Sequence, residues 1–456
     1  MRMHPALGLA LLLGVPAAAQ PQWTQLSPTT VPGARNSTAM AYDEARGFAV
    51  MYGGFRLGAG ALADTWEWDG ATWSERFPAS NPGILNGHAM AYDSARGVVV
   101  LFGGARNNSI GVGETWEYDG VSWTRRATTG PQGRSNHQMV FDAGRGVVLL
   151  FGGHVDYNAG PELGDTWEWN GSVWSLRTMI GPGPRAYHAM AHDAARQRTV
   201  LLGGRLAGNV VVNDTWEWDG AAWGQLAPAT SPPNRIDHEM AYDPLRGRSV
   251  VFSGFNAGAD TWEWDGGNWA QRATATSPGS RYAYGFAYDA RLHRVLLFGG
   301  FQGGQRSDTW TWGEGVPASY VTAGSGCPGQ GGLPTIAATG GSLPYLGETF
   351  SITASNLSMT GTTFGVLGFS DTVWGSIPLP LLLDFLGLTG CRLYVSIDVL
   401  WPLVNAGGSA TWALPIPNIA FLIGFRFHQQ VANASPGSNP AGLTTTNYGT
   451  GTIGVR

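Results

Sequence analysis

The chain contains no lysine: all 27 of its basic residues are arginine. That absence removes Schiff-base chemistry, lysine general bases and the phosphate-gripping lysine of P-loops. Charge of either sign is scarce, at 13% of residues against roughly 25% in an average domain. A net charge of −5 supplies no basic field, so nucleic acid is excluded as a partner. Only two cysteines occur, Cys327 and Cys391, which fits an exported chain with one disulfide. Long hydrophobic runs are missing too. Ala6–Val15 is too short to span a bilayer, and Ile377–Leu388 is interrupted by Pro378, Pro380 and Asp384.

What the chain has in excess is glycine (68) and tryptophan (20), a composition too aromatic for disorder and too evenly punctuated by glycine for a helical protein. Arg2 and His4 precede the apolar Ala6–Val15 run, and Ala17-Ala18-Ala19 follows as a small-x-small cleavage pattern. Residues 1–19 therefore read as a signal peptide cleaved after Ala19, which predicts a secreted, periplasmic or extracellular protein.

Internal repetition dominates the next 300 or so residues. Gly53-Gly54 recurs as Gly103-Gly104, Gly152-Gly153, Gly203-Gly204, Ser253-Gly254 and Gly299-Gly300, at steps of 50, 49, 51, 50 and 46 residues. A second marker, the Trp of an acid-Thr-Trp triplet, recurs as Trp66, Trp116, Trp167, Trp216, Trp262 and Trp310. Each repeat reads as four short strands. In the second these are His88–Tyr92 (a), Val98–Phe102 (b), Glu114–Tyr118 (c) and Ser122–Arg125 (d). The c–d junctions Asp69-Gly70, Asp119-Gly120, Asn170-Gly171, Asp219-Gly220 and Asp265-Gly266 are hairpin signals, expected to place both central residues at positive φ. Strand d carries Trp73, Trp123, Trp174, Trp223 and Trp269, yet none follows Trp310. Gln22–Leu26 has the strand d pattern with no repeat before it, so the N-terminal strand is expected to complete the sixth unit.

A period near 50 with a diglycine and a late Trp belongs to kelch-type propeller blades. The segments Arg134–His137, Val147–Gly153, Asp165–Trp169 and Trp174 resemble a kelch repeat. The reading is an all-β chain: a six-bladed kelch-type β-propeller over residues 20–316, closed by its N-terminal strand, and a small β-sandwich-like domain over 317–456. Kelch propellers include enzymes, scaffolds and binding modules, so the resemblance implies the fold far more than the activity.

Strand direction places the b–c loops and d–a linkers on one face and the tight turns on the other. The loop face has unequal loops, such as His154–Gly164 against Phe255–Ala259, and is the expected site. It also collects Arg35, Arg134, Arg185, Arg235 and Arg281, with Leu85 in the remaining repeat. Three residues on stand Thr38, His88, His137, His188, His238 and Tyr284. Arginines and imidazoles around a mouth can grip an anionic ligand, such as a carboxylate or an anionic carbohydrate. The resemblance to kelch propellers, several of which hold acidic partners at the matching arginines, implies an acidic protein as the other candidate. The competing reading pairs the arginines with Asp64, Asp165, Asp214, Asp260 and Asp308 as ion pairs between blades. Leu85 and Thr38 break the pattern and mark where asymmetry is expected to define a pocket.

One imidazole per blade around a wide ring is poorly placed for metal–nitrogen distances near 2 Å, so neither metal nor cofactor is expected. The recurring Trp pairs are expected to pack between blades, and Glu67 to pair across strands with Arg76. Asp156, Glu162, Asp237 and Glu239 fall outside the repeat and are the carboxylates to test for catalysis. Galactose-oxidase-type copper chemistry is disfavoured because both cysteines lie outside the repeats. The C-terminal segment holds short apolar runs at Thr349–Ala354, Arg392–Val399, Ala410–Leu414 and Phe421–Phe427, and its Gly-Ser-Gly-Cys-Pro-Gly opening resembles a module found on secreted bacterial proteins. The functional expectation is a monomeric, non-catalytic binding or interaction module. The alternative is a carbohydrate-active enzyme, mutarotase- or lyase-like, with its site at the same mouth.

Overall fold

A computed structural model describes residues 21–454 apart from 108–110, 157–159, 315–317, 330–331, 360, 387, 389–390, 418–421 and 423–424. The expected signal segment and the expected boundary at 316/317 lie outside the described residues. The chain is all-β, and among the described residues helix is confined to three short 3-10 turns.

Six antiparallel sheets succeed one another along residues 22–313. From strand a to strand d, sheet 1 is Ala39–Asp43, Phe48–Tyr52, Thr65–Trp68 and Trp73–Arg76; sheet 2 is Ala89–Asp93, Val98–Phe102, Thr115–Tyr118 and Trp123–Ala127. Sheet 3 is Gln138–Asp142, Val147–Phe151, Thr166–Trp169 and Trp174–Thr178; sheet 4 is Ala189–Asp193, Arg198–Leu206, Val210–Trp218 and Trp223–Leu226, extended by Arg185–Ala186. Sheet 5 is Glu239–Asp243, Arg248–Phe252, Thr261–Trp264 and Trp269–Arg272. Sheet 6 has Gly285–Asp289, Arg294–Phe298 and Thr309–Gly313, and its fourth strand is the N-terminal Gln22–Leu26, with Trp23 opposite Trp312.

Two hydrogen-bond circuits join the sheets. In the first, the residue two before each strand a donates its backbone N–H to the matching carbonyl of the preceding sheet: Ser37 to Ala283, Gly87 to Ser37, Asn136 to Gly87, Tyr187 to Asn136, Asp237 to Tyr187 and Ala283 to Asp237, at 2.7–3.1 Å. The circuit returns to its start. All six residues take left-handed φ, from 53° to 64°, and only one of them is glycine. That conformation disfavours L side chains. The circular bonding offsets it, because each left-handed residue supplies one donor and one acceptor to the ring.

The second circuit uses the strand d tryptophans. Each indole N–H donates to the strand c threonine of the preceding sheet: Trp73 to Thr309, Trp123 to Thr65, Trp174 to Thr115, Trp223 to Thr166, Trp269 to Thr215 and Trp23 to Thr261, at 2.8–3.0 Å. Trp23 fills the same place as its five counterparts although it lies at the far end of the sequence. Thr261→Val removes the acceptor but keeps the shape, and is expected to cost about 1 kcal/mol in urea denaturation, with the indole left unpaired in the core.

Opposite tryptophans on strands c and d of one sheet, Trp68–Trp73, Trp169–Trp174, Trp218–Trp223 and Trp264–Trp269, have ring centroids 5.3–5.6 Å apart. The strand d ring also packs across the gap on the preceding sheet, as the repeat pattern implies: Trp73 on Phe298, Trp174 on Phe102 and Trp223 on Phe151, at 5.1–5.3 Å. The middle of strand b is apolar because both of its faces are covered, as in Val99–Phe102 at 0% exposure. The c–d turns correct one expectation. Only the glycine takes positive φ, as in Gly70 at 95°, while the Asp69 carboxylate accepts the N–H groups of Ala71 and Thr72 at 2.8 Å. The junction is an Asx turn rather than a two-residue turn with both centres left-handed. Glycine is needed there twice over, since the Arg96 guanidinium of sheet 2 packs where a Cβ on Gly171 of sheet 3 would stand. Glu67 accepts from Arg76 at 2.7 Å and from Arg46 of the a–b turn at 2.6 Å, so the cross-strand pair forms.

Beyond residue 317 two further sheets share one core. One combines Ser319–Ala323, Thr363–Gly368, Val399–Leu403, Arg426–Ala434, Leu443–Thr445 and Tyr448–Thr452; the other combines Thr335–Ala338, Thr349–Ser355, Asn405–Ala406 and Ser409–Pro415. Phe350, Ile352 and Trp412 of the second sheet pack on Phe427 and Val431 of the first. The run expected as one strand over Arg392–Val399 is divided: Arg392–Leu393 pairs with Leu381–Leu382, while Val399 opens an edge strand. Cys327 and Cys391 are disulfide-bonded and pack with Leu383, Leu388 and Leu393.

Candidate ligand site at the channel mouth

The five arginines expected to face a ligand are fully occupied within the protein. Each pairs bidentately with the acid that opens strand c of its own sheet: Arg35 with Asp64, Arg134 with Asp165, Arg185 with Asp214, Arg235 with Asp260 and Arg281 with Asp308, at 2.6–3.1 Å. The same guanidiniums donate to the carbonyls of Gly53, Gly152, Gly203, Ser253 and Gly299 at 2.8–3.0 Å. Nε donates to a carbonyl two residues upstream, as Arg134 does to Gln132 at 3.0 Å. All five are 0–1% exposed. Against the expectation, these arginines are used up by the fold and do not grip an anion at the mouth. The expected pairing partner is right, but the pairs run within each sheet rather than between blades, staking the lead-in of strand a to strand c across strand b.

The arginine-facing guanidinium holds Asp64, Asp165, Asp214 and Asp308 below the usual carboxylate range against the opposing effect of their burial. Sheet 2 has neither partner. Leu85 is buried in the core, and Glu114 instead turns to Arg106 at 3.2 Å and Arg125 at 3.6 Å. Leu85 thus marks a substituted structural pair, not a pocket. Thr38 does reach the channel, but its hydroxyl is committed to the Tyr52 carbonyl at 2.8 Å.

His88, His137, His188 and His238 line the channel, as expected. Burial pushes His88 and His188 down to about 3 and His137 and His238 well below the usual imidazole value. They stand neutral, and three meet the aromatic end of a neighbouring strand b edge-on: His88 on Tyr52, His137 on Phe102 and His188 on Phe151. Tyr284 takes the equivalent place in sheet 6, donating its hydroxyl to the Phe252 carbonyl and accepting the Glu239 N–H at 3.3 Å.

Above the imidazoles lies a cavity of about 40 Å³, lined by the left-handed ring residues, the four histidines, Gln138 and Glu239. Sheets 3 to 5 make one side of this mouth polar. Burial raises Asp237 to about 7, opposed by the positive charge of Arg205. Burial raises Glu239 to about 8, opposed by the Gln138 amide and reinforced by the charge of Asp237. The Gln138 amide donates to both Glu239 oxygens, at 3.1 and 3.2 Å.

Arg205 is held from three directions. It donates to His154 Nε2 at 2.9 Å, its guanidinium lies 4.9 Å from the Tyr187 ring centre, and its Nε is 3.7 Å from Glu162. Arginine only donates, so Nε2 of His154 accepts and the imidazole proton sits on Nδ1, bonded to the Gly160 carbonyl at 3.2 Å. The side formed by sheets 5 and 6 is aromatic: Phe255 meets Tyr282 at 5.2 Å, and Tyr282 meets Phe301 at 5.6 Å, with Phe255 42% exposed.

No family model matches the chain, and no curated protein matches it. The solved structure of YjhT is similar, with a TM-score of 0.51 at 15% identity, covering 62% of this chain and 95% of that one. The fold is propeller-like. Likeness at that identity speaks for the fold alone, and the covered share is comparable to the six-sheet part.

Of the four carboxylates singled out, Asp237 and Glu239 line the cavity, Glu162 braces Arg205, and Asp156 is absent from the lining. Gln138, His154, Tyr187 and Arg205 were not anticipated. Their signal is visible once the repeats are aligned. The residue after the diglycine is Phe55, Ala105, His154, Arg205, Phe255 and Phe301, and the first of strand a is Ala39, Ala89, Gln138, Ala189, Glu239 and Gly285. Among the described residues no group of three or more His, Cys, Asp or Glu is placed to hold a metal ion, and no helix is long and apolar enough to cross a membrane.

Proposed function

We propose that residues 20–316 form a six-bladed kelch-type propeller, closed by its N-terminal strand, that is exported with its β-sandwich-like C-terminal domain (317–456) and binds a polyhydroxylated ligand at the channel mouth. The observation that carries this reading is the asymmetry of the mouth. Structural positions are filled alike in nearly every sheet, whereas Asp237, Glu239, Gln138 and Arg205 occur once each and converge beside the Phe255–Tyr282–Phe301 wall. Carboxyl and amide groups that both donate and accept, next to exposed aromatic faces, suit a ring with hydroxyls on its edge and C–H groups on its face.

A glycan array on the whole secreted chain tests the proposal. The expected result is a restricted set of bound glycans, lost in Asp237→Asn and kept in Glu114→Gln. Silence from the folded protein overturns it. The second reading, acid–base catalysis on a sugar, is favoured by Asp237 and Glu239 being poised near neutral pH. Anomer exchange of the bound sugar, followed by NMR, separates the two: acceleration lost in Asp237→Asn supports an enzyme, and no acceleration supports a binding module.

A further inference from the structure

The channel is divided in two. Below the mouth cavity lies a chamber of about 210 Å³ lined by the lower parts of all six inner strands, among them Met40, Met90, Met190 and Met240. The two spaces share only two lining residues, Gln138 and Glu239. These are the two large polar side chains at the first position of strand a, where the other sheets have Ala39, Ala89, Ala189 and Gly285. They come from sheets 3 and 5, and their hydrogen bonds at 3.1 and 3.2 Å span the width of sheet 4. Position, chain length and bonding all act together: an alanine at either site is too short to reach across.

We propose that the Gln138–Glu239 pair is a crossbar that closes the channel, makes the mouth a blind pocket, and so restricts the ligand to one presenting a chain end. A through-channel of uniform small residues would admit the middle of a linear chain; a mouth cavity of about 40 Å³ closed below by the pair admits only the tip of one. The floor is itself a hydrogen-bonding surface. The Glu239 backbone is tied to Tyr284, and its side chain gives up the Gln138 amide only to a group that replaces those donors. Asp237 and Arg205 stand above this level, so the depth-setting pair and the charged rim are separate parts of one site. The proposal rests on the mouth being a ligand site; the crossbar itself does not.

Two measurements examine the crossbar without any ligand. In the whole protein with Gln138→Ala, the Glu239 carboxyl, followed by carbon-13 NMR, is expected to titrate at higher pH than in the parent, because the amide that favours its ionised form is gone. An unchanged titration overturns the crossbar. In a crystal structure of Gln138→Ala/Glu239→Ala, whose alanines match sheets 1, 2 and 4, the two spaces are expected to merge; a channel still closed at this level also overturns it. For the ligand, array probes carrying each glycan as a terminal unit are compared with probes carrying it only inside a longer chain. Binding confined to termini in the parent, relaxed in the double variant, is the expected result. Equal binding to internal units in the parent overturns end recognition. A silent array with a shifted Glu239 titration counts against the ligand reading and leaves the crossbar standing.

Discussion

Arg134→Leu is expected to lower the unfolding free energy by about 3–5 kcal/mol, the usual cost of removing one partner from a buried ion pair. Arg134 is 0% exposed and makes two bonds to Asp165, one to the Gly152 carbonyl and one to the Gln132 carbonyl. Its removal strands a carboxylate that keeps only the Trp167 indole, at 2.7 Å, as a side-chain partner. Sheet 2 shows that the position tolerates a leucine when the acid changes too, since Leu85 coexists with Glu114. The double variant Arg134→Leu/Asp165→Glu is therefore expected to recover part of the loss, because the longer side chain carries its charge out to water. Urea denaturation decides it. A loss below about 1 kcal/mol for Arg134→Leu would show that the pair contributes little beyond its own desolvation.

The fold was legible because each repeat states its pattern six times. Diglycines, hairpin glycines and paired tryptophans recur at fixed offsets, and a unit that cannot bury its own faces must stack on its neighbours. Even the placement of Gln22–Leu26 beside Thr309–Gly313 followed from one missing tryptophan after Trp310 and one extra before the first repeat. What was not legible is what repetition hides. A conserved-looking ring of arginines reads equally as a ligand grip or a structural pair, and only the geometry of Arg134 on Asp165 separates the two.

The site shows the converse. Asp237 and Glu239 were flagged because they depart from the repeat, and both reach the cavity. Arg205 was missed because an arginine after a diglycine is unremarkable in one copy; it stands out only against Phe55, Ala105 and Phe301 at the same offset. Leu85 shows that a departure from the pattern can equally record a second structural solution, here a buried leucine beside Glu114 paired to Arg106. In the C-terminal part, with no repeat to compare, the apolar runs located strands but not their pairing, and Arg392–Val399 divided between two different partners.

Stability is expected to peak near pH 6.5 and to fall on both sides, and the two limbs have different owners. On the acid side His88, His137, His188 and His238 stay neutral in the fold, with His88 and His188 at about 3. An unfolded chain protonates all four below about 6.5, so it binds up to four more protons than the native state as pH falls. On the alkaline side the order reverses. Asp237 and Glu239 hold protons to about 7 and 8 in the fold, whereas the unfolded chain releases them near 4. Their contribution is therefore present in full below pH 4 and is lost as pH rises through 7 and 8. Near pH 5 these four histidines win by about two protons, a slope of about 3 kcal/mol per pH unit that shrinks to near zero by pH 6.5 as the unfolded imidazoles lose their protons. Above 6.5 the imidazoles are neutral in both states and only the carboxyls still differ, so stability declines until about pH 8. Glu239→Gln is expected to halve the alkaline limb, leaving the Asp237 part, and to steepen the acid limb by one proton's worth of slope; His137→Gln is expected to shallow the acid limb by the same amount. Guanidinium denaturation at half-unit steps from pH 4.5 to 9 reads both limbs. A stability that falls as pH rises from 4.5 to 6.5 would show that the channel imidazoles protonate in place, and a level alkaline limb would show that Asp237 and Glu239 ionise without cost in a channel wetter than its dimensions imply.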